Sequence, residues 1–156
     1  MMTLRTFLRR LRADQAGAVL IETAFVAPVL VLMALGAFQI SGIVARQSEL
    51  QSAAAEAAAI ALASAPDTAA KRTTLQQVVM ASTGLSSSHV AVSEAFRCGA
   101  NTTYHTNANS CGSSDYSRYV KIVLTDTYTP TWTQFGIGSN LNFSVTRYVM
   151  LSQVSD

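Results

Sequence analysis

From Ala18 to Ala45 the chain reads AVLIETAFVAPVLVLMALGAFQISGIVA, an apolar run in which Glu22 is the only formal charge. A membrane-spanning helix needs about 20 such residues, so the run is long enough to cross a bilayer with allowance for tilt. Pro28 lies well inside it and removes one backbone donor, which predicts a kink or a local unwinding there; the plainer reading is a neutral membrane proline, which lipid-embedded helices tolerate. Ala37, Ser41 and Ala45 form a small-xxx-small row that would let a second helix approach closely, or they are a chance run of small residues.

The helical pattern does not stop at Ala45. Residues 46–64, RQSELQSAAAEAAAIALAS, are rich in the strongest helix former and contain no breaker before Pro66. One helix of roughly 45 residues, about 70 Å long, is therefore expected. Its second half carries a mildly apolar stripe, Leu50, Ala53, Ala54, Ala57, Ile60 and Ala61, at three- and four-residue spacing. A second, shorter helix is predicted from an N-cap at Asp67 through Thr83, with Gly84 as its stop. Beyond it the period changes to two. Residues 89–96, 119–125 and 141–150 alternate as strands, and residues 97–118 form a long polar loop between the first two. The fold class predicted is α+β: a long N-terminal helix packed on a small antiparallel sheet, with one further short helix.

Composition and charge sharpen this division. Apolar residues are 49% of the chain and charged ones only 13%, but the average conceals an apolar first third and a polar remainder. Arg5, Arg9, Arg10 and Arg12 crowd the first 17 residues with Asp14 as their only acid, so the formal charge of +2 belongs to that leader. The rest is near neutral, which argues against nucleic acid as a partner. Basic residues before the apolar run predict a cytoplasmic N-terminus and an exported remainder.

An exported location governs how the two cysteines are read. Cys98 and Cys111 enclose a stretch rich in Asn, Thr, Gly and Ser, which in an oxidising compartment reads as one disulfide closing a surface loop. The competing reading is a metal site of Cys98, His105 and Cys111, which lacks a fourth ligand and any CxxC knuckle. Neither His89 nor His105 has a companion suited to nucleophilic catalysis. The stretch 136–139, GIGS, lacks the lysine of a phosphate loop and reads as a turn. Trp132 and Phe135 read as cover for the sheet edge rather than as exposed contact residues. No enzyme activity, cofactor, metal or small-molecule substrate is expected.

Glu22 remains. A carboxylate in hydrocarbon costs on the order of 2.5–3.5 kcal/mol, so a residue of this kind is usually kept for a function and with a partner. A secretory signal peptide cut before Ala37 would also place basic residues ahead of an apolar core, but a carboxylate interrupts that core and the helical pattern runs on past Ala37. Counted from Ala18, Glu22 is the fifth residue, and Gly17 precedes Ala18. A cut between Gly17 and Ala18 would set a new α-amino group about one helical turn from the carboxylate, in reach of Glu22 on a neighbouring subunit at the same depth.

A leader ending in Gly, an immediate apolar helix and Glu at the fifth position resemble the type IV prepilins. The ordered set Gly17-Ala18-Val19, Glu22, Phe25-Val26, Pro28-Val29-Leu30, Gly36 and the stretch 51–58, QSAAAEAA, resembles the TadE-like minor pilins, or pseudopilins, of the tight-adherence (Tad, or Flp) pilus system. The resemblance runs from Gly17 to about Ala63. It implies a pilin-like subunit with a basic leader at 1–17, a transmembrane half-helix at 18–45, an exported half-helix at 46–64 and an exported α+β domain at 65–156. It also implies a prepilin peptidase cutting between Gly17 and Ala18, and other Tad components and pilin subunits as partners. Glu22 would serve recognition or assembly. The expected location is the bacterial inner membrane, single-pass, with the C-terminal domain outside; incorporation in the pilus or at its tip stays open. The alternative is a signal-anchored or secreted binding module with no role in pilus assembly, its loop 97–118 facing a ligand.

Overall fold

The computed structural model describes residues 15–112, 115–136 and 138–154. The leader arginines and Asp14 lie outside the described residues. The elements are helix α1 (Gln15–Ser64), helix α2 (Ala69–Thr83), strand β1 (Val90–Cys98), a short 3-10 helix (Ala108–Cys111), strand β2 (Tyr116–Tyr128), a second 3-10 helix (Thr131–Phe135) and strand β3 (Leu141–Val154). The architecture is α+β, as the sequence pattern predicts. The chain divides into two compact units, one ending at Gly42 and the other running from Ile43 to Asp156.

In the first unit α1 is the only described element. It continues through Pro28 as one helix. Pro28 has no N–H to give the carbonyl of Ala24, so that acceptor lacks its ordinary helical partner. Nearly every apolar side chain here faces outward: Leu20 is 72% exposed and Phe25 and Phe38 are each 76% exposed. By length and composition α1 is apolar enough to cross a membrane, with a mean hydropathy of 2.2 over its most apolar window.

The second unit contains the core. Leu50, Ala54, Ala57 and Ala61 on α1 are buried, with Ala53, Ala58 and Ile60 packed beside them. The stripe read from the sequence is therefore the face that meets the sheet. Alanine at three of these four positions leaves room for larger side chains of the sheet, and the volume is supplied from that side by Val120, Ile122 and Leu124 of β2 with Val90, Val145 and Val149. Helix α2 closes the remaining flank with Leu75 and Val79. It is also tied to β1 by Arg72 to Glu94 at 2.8 Å and by the Gln76 amide donating to the Val90 carbonyl at 2.6 Å.

The helix ends follow local chemistry. Helix α1 stops ahead of Pro66 with Ala65 in a left-handed conformation (φ 40°), its N–H donating to the Ala61 carbonyl. The N-cap of α2 is Thr68 and not the expected Asp67. Thr68 is extended and its hydroxyl accepts from the Lys71 N–H, whereas the Asp67 carboxylate is drawn into an ion pair with Lys71 at 2.8 Å. Gly84 terminates the helix in the left-handed region (φ 69°), which a residue with a side chain adopts only at a cost.

The sheet is antiparallel in the order β1-β2-β3. All three strands are longer than the alternation alone suggests. The expected polar loop 97–118 loses both its ends to pairing, because Cys98 faces Tyr116 and Arg97 faces Ser117. Arg118 hides the pattern on β2, since a charged side chain there shares the sheet face of Val120 and Ile122, which simple alternation assigns to apolar residues. A bulge follows: Arg118 pairs with Ser152 and Tyr119 with Met150, leaving Leu151 as an extra residue on β3.

Replacing Ile122, which is fully buried in the middle strand, by Ala is expected to destabilise the second unit by about 2–5 kcal/mol. Met150→Ala, at a position 44% exposed, should change stability by no more than about 0.5 kcal/mol. Urea unfolding of the full chain in non-ionic detergent, followed by near-UV circular dichroism, measures both.

Candidate functional site

Gly17 lies in the first turn of α1 and Glu22 in the next. The first N–H groups of a helix have no intrahelical acceptor, and the aligned peptide dipoles make this end electropositive. Glu22 is exposed and makes no hydrogen bond or ion pair among the described residues. Its neighbours Val19, Ile21, Phe25 and Val26 are exposed apolar side chains. The other nearby polar side chain, Thr23, is satisfied within the helix, donating its hydroxyl to the Val19 carbonyl at 2.8 Å. Glu22 is thus an uncompensated carboxylate on an uncovered apolar cylinder, about one turn from the candidate cut.

At the start of the second unit a charged clamp fastens α1 to the sheet. The Arg46 guanidinium donates to Asp126 on β2 and, through a second nitrogen, to Glu49 at 2.7 Å. Those two hydrogen bonds hold Arg46 above its ordinary pKa. Burial pushes the Asp126 carboxyl up, but hydrogen bonds from Arg46 and from the Thr127 backbone, with the Arg46 charge, outweigh it and hold the group below the usual carboxylate range. Asp126 shares a sheet face with Leu124, Ile122 and Val120, so it points at the helices. Glu94 occupies the same face and is met by Arg72.

The cysteines form the expected disulfide, with their Cα atoms 5.1 Å apart. Both sulfurs are consumed, which overturns the alternative metal set of Cys98, His105 and Cys111. His105 is instead a backbone partner: it exchanges two hydrogen bonds of 2.8 Å with Phe96 along the outer edge of β1. The loop so fastened lays Tyr104 on the sheet surface facing away from the helices. There it stacks on Tyr148 at 3.8 Å between centroids and meets Tyr119 edge-on at 5.2 Å. Trp132 is half-buried in the second 3-10 helix.

The structure gathers these candidates into separate places. Gly17, Ala18, Glu22 and Pro28 share α1, whereas Cys98 and Cys111 belong to the loop on β1. The family model that matches the chain is that of TadE-like proteins, over residues 17–59. Residues 17–59 are TadE-like. This TadE-like segment begins at the candidate processing site and contains Glu22, Pro28, the Arg46 clamp and the first part of the buried alanine stripe. No curated protein and no solved structure matches the chain.

Two functional features escaped the sequence pattern. The Arg46–Asp126 clamp joins residues 80 apart, and its only local signal is an acid at an inward-facing position of an alternating strand. The tyrosine cluster joins a loop to two strands, and no spacing rule announces it.

Because Asp126 is held below its ordinary value, its contribution to stability is present above the unfolded carboxylate pKa of about 3.9 and is lost as pH falls through the lower, native value. Asp126→Asn is expected to destabilise the second unit at neutral pH by about 1–2 kcal/mol and to lose less stability than the parent as pH is lowered below about 4. Thermal unfolding of both proteins across that range provides the comparison.

Proposed function

We propose that this chain is a minor pilin-like, or pseudopilin, subunit that takes part in assembly of a Tad-type adhesive pilus. Residues 1–17 are its leader, 18–45 cross the bacterial inner membrane with the N-terminus inside, 46–64 continue the helix outside, and 65–156 form the exported domain. A prepilin peptidase cuts between Gly17 and Ala18.

The observation that carries this reading is the uncompensated Glu22 one turn into a TadE-like segment. An isolated carboxylate in hydrocarbon is costly. After the cut, the Ala18 α-amino group lies at the same depth, and an ion pair between that amine of one subunit and Glu22 of another removes both unpaired charges. The arrangement makes entry of a subunit into an assembly favourable at the step where the two charges meet, and leaves a free subunit in the bilayer unsatisfied. Pro28, further into the same helix, frees one carbonyl and is the position at which the helix would bend during that entry. The exported unit then presents its surfaces outside. The remaining partners on this reading are the other Tad assembly components and pilin subunits.

Mass spectrometry of the mature protein from cells is the test. An N-terminus at Ala18 is expected; an intact leader, or an N-terminus near Ala37 as a signal peptidase would leave, contradicts the processing. In cells that retain processing, Glu22→Ala should leave membrane insertion intact and reduce piliation, and undiminished piliation would remove Glu22 from the assembly role.

A further inference from the structure

The acids on the paired strands of the sheet lie on the face toward the helices, which also carries Arg118 and Arg147. Its inward acids, Glu94 and Asp126, are each met by an arginine from a helix. The face turned away from the helices carries Arg97 and Lys121 and no acid on its paired strand positions, and neither cation has a carboxylate partner among the described residues. Arg97 in addition keeps a buried Nε without a hydrogen bond.

These two cations border the tyrosine cluster. The Arg97 guanidinium lies over Tyr119, 5.6 Å from the ring centroid, and the Lys121 ammonium lies 5.9 Å from the ring of Tyr148. Arg97 is paired with Ser117, four residues before Lys121 on β2, so the cations are separated by about 13 Å along the strand. The surface between them is ordered by the disulfide and by the Phe96–His105 bridge, which hold Tyr104 against Tyr148. Below the tyrosines the same face exposes the hydroxyls of Ser93 and Thr146.

The geometry points to this face as a binding surface for an anionic polysaccharide whose carboxylates are carried on sugar rings. Such a polymer offers acid groups to Arg97 and Lys121, C–H groups to the part of the Tyr148 ring that Tyr104 leaves open, and hydroxyls to Ser93 and Thr146. Nucleic acid is the poorer fit, because its charge lies on phosphates outside the sugar rings and it has no ring-borne acid to reach Arg97 and Lys121. An acidic polypeptide is also poorer, because the face has no unpaired backbone to hold an extended chain; the open backbone groups of the sheet lie at its edges. The inference goes beyond the pilus reading and does not depend on the cut after Gly17.

Binding of the full chain, in non-ionic detergent, to immobilised alginate at low ionic strength tests it. The parent protein should bind, and Lys121→Glu and Tyr148→Ala should each weaken binding by about tenfold. Lys71→Glu, the same charge change on α2, should stay within about twofold. Lys121→Gln, which adds no repulsion, should still weaken binding, and near-UV circular dichroism of each variant separates lost contact from lost fold. Absence of binding by the parent overturns the proposal, as does an equal loss in Lys71→Glu. Competition by polyglutamate or single-stranded DNA as effective as that by free alginate overturns it too, since it would assign the face to a different class of polyanion.

Discussion

The structure depends on an apolar helix surface that the described residues leave uncovered. From Val19 to Val44 most large side chains of α1 stand exposed around the helix, and exposure of that extent in water forgoes roughly 25 cal/mol of stabilisation per Å² of apolar area. A soluble domain would bury such a surface against other elements. Here the sheet and α2 are fully engaged with a different stretch of the helix, the stripe from Leu50 to Ala61. On the proposed function the apolar stretch is solvated by hydrocarbon or by other apolar helices, and the single carboxylate within it acquires a meaning that it would lack on a soluble helix.

The two parts of α1 solve opposite problems with similar residues. In the apolar part, branched and aromatic side chains all round the helix suit an environment without water. In the second part, alanine dominates, and its small volume leaves room for the larger side chains of the sheet while its helix propensity favours the element. Arg46 stands at the start of this second part, where it meets Asp126 and Glu49. A pair of this kind, with both side chains less than one-third exposed, fixes which way the sheet is seated on the helix more than it adds to stability, because burial of the charges offsets much of their attraction.

Much of this was legible in the chain. The unbroken helix was visible because alanine and leucine carry the pattern across the polar boundary and Pro66 ends it. The inward stripe was visible because Leu50, Ala54, Ala57 and Ala61 keep helical spacing. The disulfide was readable from Cys98 and Cys111 once an exported location was inferred from the arginine leader. The misses share a cause: they are set by tertiary contact. Thr68 displaced Asp67 as the cap because Lys71 competes for the carboxylate. Strand β2 outran its alternation at Arg118, whose charged side chain on the inward face disguises a paired position. The clamp of Arg46 with Asp126 and the stacking of Tyr104 on Tyr148 join residues distant in sequence, and no local period records them.

On the proposed function, one chain places an apolar helix in the membrane and its disulfide-bearing domain on the oxidising side. The most direct measurement is thiol trapping in intact cells: a membrane-permeant alkylating reagent is added before lysis, and the unreduced protein is then weighed. The account predicts no adduct, because Cys98 and Cys111 are joined where the domain resides. Two adducts per chain, marking free thiols in a reducing compartment, would contradict it.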